Sequence, residues 1–105
     1  MNKNLFNLQK KIKVKFKNTD LLRNSLTHKS HDSINNYEKL EFLGDRVLGI
    51  TISKRLIDMY PDEKVGNLDK KLASLVNKNK CYEIGKKLNL DKYIQIGKTQ
   101  KKNKN

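Results

Sequence analysis

Tryptophan is absent, proline and cysteine occur once each, and glycine only five times in 105 residues. One cysteine, Cys81, excludes an internal disulfide framework. The two histidines, His28 and His31, lie far from it without zinc-ligand spacing. Cys81 is therefore expected to be a small apolar residue of the core. With so few glycines there is no phosphate-cradling loop, and nothing in the chain calls for a small-molecule cofactor. Long apolar runs are also missing. No stretch could span a bilayer, and the N-terminal MNKNLFNLQKK has no apolar signal core. These absences argue against a membrane-spanning segment, and a cytoplasmic protein is the default expectation.

Negative charge is scarce as well: 11 acidic residues stand against 24 basic ones, a formal net charge of +13. Such an excess attracts polyanions, nucleic acid ahead of an anionic membrane. The basic residues are nearly all Lys, with Arg only at Arg23, Arg46 and Arg55, and Asn is abundant. An AT-rich coding sequence produces the same bias, so charge alone does not decide. Any RNA contact would fall on a Lys-rich surface whose residues the sequence does not single out.

What is present is helical periodicity. Leu5, Leu8, Ile12 and Phe16 recur at helical spacing over residues 3 to 15. A second short helix is expected after the cap candidates Asn18, Thr19 and Asp20, running through Leu21, Leu22 and Leu26. The polar HKSHDSINN, residues 28 to 36, reads as a loop that delivers the chain to a long helix from about Asn36 to Met59, ended by Pro61. PDEKVGN is a connector. Leu68, Leu72, Leu75 and Val76 mark a further helix, and Ile84, Leu88 and Leu90 another, with Gly85 as its weak point. DKYIQIG is a short terminal element, in which Asp91 reads as a cap or turn residue. No strand alternation appears, so the fold class is all-α. Residues 1–98 form one domain, and 99–105 a solvated Lys/Asn-rich tail.

The long helix carries an anomaly. In NYEKLEFLGD, residues 36 to 45, Glu38, Glu41 and Asp45 fall within about 60° of one another on one face. One-turn steps continue that row through Leu48, Gly49, Ile52, Leu56 and Met59, while Leu40, Leu43, Val47 and Ile50 form a second apolar stripe across the helix. A helix apolar on two sides is expected to be central and packed all round, with its acids partly sheltered. Sheltered carboxylates need a compensating cation. Glu41 and Asp45, at i and i+4, supply oxygen ligands one turn apart for a hydrated Mg²⁺, with space beside them at Gly44. The plainer reading is that acids near a helix N-terminus favour the macrodipole and pair with Lys39 or Arg46 in water.

NYEKLEFLGDRVL closely resembles the signature segment of the ribonuclease III family: Asn, Tyr or similar, Glu, Arg, Leu, Glu, Phe, Leu, Gly, Asp, then an apolar run. LTHKS, residues 26 to 30, resembles the upstream Leu-Thr-His-x-Ser element. The stretch from Tyr60 to Leu90 resembles the part after the long helix, with its Pro, Gly-x-Leu step and Leu-Val pair in order. The resemblance covers residues 5 to 98. It implies a helical endonuclease domain built around the long signature helix, cutting double-stranded RNA in rRNA and mRNA precursors. It implies a homodimer with Mg²⁺, for which Mn²⁺ can substitute, and products with a 5′ phosphate and a short 3′ overhang. Carried over residue by residue, Glu41 is a metal ligand, Asp45 a metal ligand and the catalytic acid that orients the attacking water, and Glu38 a secondary acid of the site. His28 is read as structural, orienting the loop before the long helix.

Departures are mild within the chain. Lys39 stands for the usual Arg, Val65 for a frequent Glu, and Leu72 for a frequent Arg. The family's second acidic motif, Asp-x-x-Glu, and its double-stranded-RNA-binding domain have no counterpart in these residues. The chain therefore reads as a C-terminally truncated fragment, expected to be weakly active or inactive by itself. The alternative is a ribonuclease III-like module that binds structured or ribosomal RNA without cutting it. The retained acids favour the enzyme, since a binding-only descendant has no use for carboxylates that repel RNA.

Overall fold

The computed structural model describes residues 3–97; the expected tail lies outside them. Five α-helices follow one another: α1 (Lys3–Ile12), α2 (Thr19–Ser25), α3 (Glu38–Met59), α4 (Val65–Leu75) and α5 (Lys78–Lys87), then a 3₁₀ turn over Leu90–Lys92. The all-α expectation holds among the described residues, where the sole extended pairing is an isolated parallel bridge between Thr27 and Gln95.

Local chemistry sets the helix ends. Asn18 caps α2 by accepting the Asp20 N–H at 3.0 Å, and Asn77 caps α5 through the Lys80 N–H at 2.8 Å. At the C-terminus of α1 the chain turns without glycine. The Lys13 N–H reaches the Lys10 carbonyl at 3.3 Å, the Val14 N–H reaches that of Gln9 at 3.1 Å, and Lys13 takes the left-handed φ of 60°. This is a Schellman stop with lysine where glycine is easiest. Gln9, itself buried, accepts the Phe16 N–H at 2.7 Å and donates to the Leu5 carbonyl, tying the turn back onto α1.

The core is small and lies at the α1/α2 end. Leu5, Leu8, Leu22 and Leu26 are buried together, with Ile12, Phe16, Leu90, Tyr93 and Ile94 against them. Thus the two ends of the described chain close one core. The long helix leaves it: at 1.5 Å per residue, α3 runs for roughly 33 Å. The molecule is correspondingly elongated, with a radius of gyration of 16.3 Å against about 13 Å for a compact chain of this length.

The expectation that α3 is packed all round is corrected. Neighbours reach it from α2 and α4, and the row that continues from the acids is covered: Leu48 and Ile52 are half-buried and Leu56 buried. The second stripe is half-buried at Leu40 and open beyond it, with Leu43 59%, Val47 54% and Ile50 72% exposed. Periodicity reports that a face is apolar, not whether the same chain covers it. Cys81 is likewise exposed rather than in the core, because α5 meets the 3₁₀ turn through its C-terminal half, where Gly85 and Leu88 are half-buried.

A polar strap fixes where α3 begins. The Tyr37 N–H donates to the Thr27 carbonyl at 3.0 Å, the Gln95 N–H to that of Leu26 at 2.7 Å, and the His28 N–H to that of Gln95 at 2.8 Å. The Gly97 N–H closes the strap on the Ser30 hydroxyl at 2.9 Å. A Cβ at Gly97 would stand 2.8 Å from the Ser30 carbonyl oxygen, so Gly97→Ala must push the two segments apart. Gly97→Ala is expected to lower stability by about 1–3 kcal/mol in urea titration, whereas an unchanged midpoint would mean the strap yields freely.

Candidate active site on the long helix

The side chains at the start of α3 are held by short-range bonds. The Asn36 side chain accepts the Glu38 N–H at 3.0 Å, and the Glu41 N–H reaches the Tyr37 carbonyl at 2.7 Å. Glu38 and Glu41 occupy the first turn, where the helix dipole favours negative charge. Asp45 follows one turn after Glu41 on the same face.

All three acids are exposed, which corrects the expectation that they are partly sheltered. The reason is position: their row becomes covered only from Leu48 onward. Among the described residues no ion pair involves Glu38 or Glu41, and Asp45 meets the Arg46 guanidinium only at 3.8 Å. Arg46 is engaged elsewhere. Its guanidinium lies 3.8 Å from the centre of the Phe42 ring and donates to the Phe42 carbonyl at 3.1 Å. The carboxylates are therefore hydrated rather than neutralised by a neighbour. Space beside Gly44 is open, as expected, with no atom within 4 Å of an added Cβ.

Tyr37 feels the acids. Burial, with the Glu41 and Glu38 carboxylates adding to it, pushes its phenol above the ordinary value. The Tyr37 ring meets His28 edge-on, with centroids 5.7 Å apart. His28 Nδ1 accepts the Ser30 N–H at 3.0 Å and lies 2.7 Å from the Ser30 hydroxyl, so the ring is tied within the loop that leads into α3. Sequence reasoning did not foresee Ser30 and Gly97 as partners in this arrangement. Their contact spans 67 positions, and no local pattern announces it.

Among the described residues no group of three His, Cys, Asp or Glu side chains could hold a metal ion. Glu41 and Asp45 present hard oxygen donors in water, which suits a cation that keeps part of its hydration shell. The donor set fits Mg²⁺ as a partial site.

The three acids line the exposed start of one long helix, and comparison with known proteins shows which fold this is. The profile of the Ribonuclease-III-like family matches residues 18–105. Ribonuclease 3 of Pelagibacter ubique is 62% identical over 96 residues, covering 91% of this chain and 43% of that protein. For Ribonuclease 3 of Ehrlichia chaffeensis the identity is 45% over 93 residues, covering 85% and 41%. The crystal structure of the nuclease domain of ribonuclease III from Campylobacter jejuni superposes with a TM-score of 0.90 at 35% identity, over 97% of this chain and 69% of that one. Another structure of that domain, described for flexibility in a region involved in dimer formation, gives a TM-score of 0.88 over 91% and 67%. The fold is that of a ribonuclease nuclease domain. The chain belongs to the ribonuclease III family, and it spans less than half the length of these curated relatives.

The loop before α3 has its own electrostatic signature. Asp32 accepts the N–H groups of Asn35 and Ile34, each at 2.9 Å, and these bonds, Asn35 first, hold its carboxyl below the usual value of 3.8. A depressed folded-state pKa contributes stability above pH 3.8 and loses it as pH falls through the folded value. Asp32→Ala is expected to flatten the acid limb of a stability-against-pH curve below that point; an unaltered limb would show that the loop carboxylate does not contribute.

Proposed function

We propose that the chain carries the signature-helix part of a divalent-metal-dependent endonuclease that hydrolyses double-stranded RNA, acting on rRNA and mRNA precursors in the cytoplasm. One observation carries the reading: Glu41 and Asp45 stand one turn apart on α3, exposed and not neutralised by a close cation, inside the NYEKLEFLGD segment of a ribonuclease III family chain. Glu41 and Asp45 would hold Mg²⁺ together with water and the second acidic motif that the resemblance implies. A bound divalent cation supplies an activated water nucleophile near neutral pH and offsets charge on the scissile phosphate. Asp45 orients that water toward phosphorus. Glu38, at the first position of α3, adds negative potential that favours cation binding, and His28 keeps the preceding loop in place. The Lys-rich surface meets phosphates, while the A-form duplex is recognised mainly by shape and sugar hydroxyls.

Extended through a second acidic motif, the chain should cut long duplex RNA with Mg²⁺ or Mn²⁺. There Asp45→Asn is expected to reduce cutting by about 10²–10⁴-fold while duplex binding persists in a filter or gel-shift assay; undiminished cleavage would remove Asp45 from the site.

A homodimer is part of the same reading. Leu43, Val47 and Ile50 form an uncovered apolar stripe on α3, and a second copy of the chain is the partner that would bury it. Ile50→Asp, at an exposed position, should leave the circular dichroism spectrum unchanged and convert a dimer to a monomer in sedimentation analysis. A dimer that survives the charge would place the contact elsewhere.

A further inference from the structure

Away from α3, the turn between α1 and α2 forms a groove of about 520 Å³. Phe6, Val14 and Phe16 supply its apolar lining, and Lys10, Lys13 and Lys15 line it with Gln9 and Thr19. Phe6 is 46% and Val14 49% exposed, so the apolar lining is open to solvent. It is also fixed in shape: the buried Gln9 holds the Phe16 backbone at 2.7 Å, and the Schellman bonds of Lys13 and Val14 lock the turn. The Lys10 ammonium lies over the Phe6 ring, 4.7 Å from its centre, a cation–π contact that a base stacking on that face would displace, freeing the lysine for a phosphate. No acidic residue occurs before Asp20, while five lysines lie between positions 10 and 17. Lys13 adds a further sign. It occupies a left-handed position, φ 60°, where glycine would be less strained, and it places an ammonium group at the groove.

We infer that this groove binds single-stranded RNA, such as an unpaired segment flanking a duplex, by stacking a base against Phe6 over the apolar lining while Lys10, Lys13 and Lys15 meet the flanking phosphates. The inference rests on the reading that RNA is the ligand of this chain. A flat aromatic surface beside a cationic track suits a strand whose every base offers a π-face, and it selects little among sequences. Besides the lysines, the polar residues of the lining are Gln9 and Thr19, and the Gln9 side chain is bonded to Leu5 and Phe16, so recognition rests mainly on stacking and charge.

The test uses the 105-residue chain and a fluorescent oligouridylate of about 12 nucleotides, followed by anisotropy at low and moderate salt. Phe6→Ala is expected to weaken binding by about 5- to 150-fold, the loss of one stacked base, with an unchanged circular dichroism spectrum. Lys13→Gly should raise the melting temperature while lowering affinity and reducing the salt slope by about 0.7; opposite signs separate binding from folding. Affinity for the oligonucleotide that is unmoved in both variants would overturn the proposal. So would an acidic Leu/Glu peptide whose binding, unlike that of RNA, depends on Phe6, since the groove would then be a protein-docking site. Failure here is distinct from failure of the nuclease reading. Asp45→Asn should leave oligouridylate binding intact, and Phe6→Ala should leave cleavage of a blunt duplex intact in the extended chain; loss of blunt-duplex cleavage in well-folded Phe6→Ala would also count against a separate single-strand groove.

Discussion

The carbonyl of Thr27 decides where the long helix starts. It accepts the Tyr37 N–H at 3.0 Å, and the same short stretch pairs through Leu26 and His28 with Gln95, so three remote parts of the chain meet at one point. The loop between, residues 28 to 36, is polar and could not be anchored by burial. Its place is set by bonds inside it: Ser30 to His28, Ile34 and Asn35 to Asp32, and Asn36 to the Asp32 carbonyl. Each such bond, made at the surface in competition with water, contributes little by itself. Their effect is cumulative and geometric, because they give α3 a fixed first residue and its acids a fixed azimuth.

That azimuth explains how carboxylates sit in line with a buried row at little cost. From Leu48 to Leu56 the row is progressively covered, and apolar residues fill it. Before Leu48 it overhangs its neighbours, and there the side chains are Glu38, Glu41 and Asp45. Hydration removes most of the desolvation cost that sheltered acids would carry. The helix N-terminus, where Glu38 and Glu41 lie, adds a favourable field of about 0.3–1 kcal/mol per charge. Burial first, and the Glu41 and Glu38 carboxylates after it, raise the phenol pKa of Tyr37. Exposed acids one turn apart are what the proposed cation site requires, since the helix would not have to rearrange to reach them.

Most elements were legible in the sequence because their determinants are local. Asn18 and Asn77 cap what they precede, although Asn77 carried no signal beyond its residue type. The heptad-like leucines of α1 and α2 find one another in the core. The long helix begins at Glu38 and ends at Met59, against an expected start near Asn36; the difference is the Asn36 side-chain bond to the Glu38 N–H. Asp91 falls inside the 3₁₀ turn, in keeping with its reading as a cap or turn residue, and pairs with Lys86 at 3.5 Å. What could not be read was coverage. The apolar stripe of Leu43, Val47 and Ile50 and the exposed Cys81 each satisfy a pattern that usually signals burial, yet burial depends on which surfaces meet. The non-local strap from Ser30 to Gly97 has no periodicity at all.

The two faces of α3 also constrain each other. Leu43, Val47 and Ile50 lie on the helix face about opposite to Glu41 and Asp45. A second copy seated on that stripe would gain about 1.5–3 kcal/mol for each large side chain it fully buries. It would do so without covering the carboxylates, because a rigid 22-residue helix keeps the two faces apart. The acids then stay in water while the apolar side leaves it. Under the proposed function, a charge on the acid row would act on cation and phosphate binding, and a charge on the stripe on assembly. The same separation accounts for why α3 can be apolar on two sides and still carry its acids exposed.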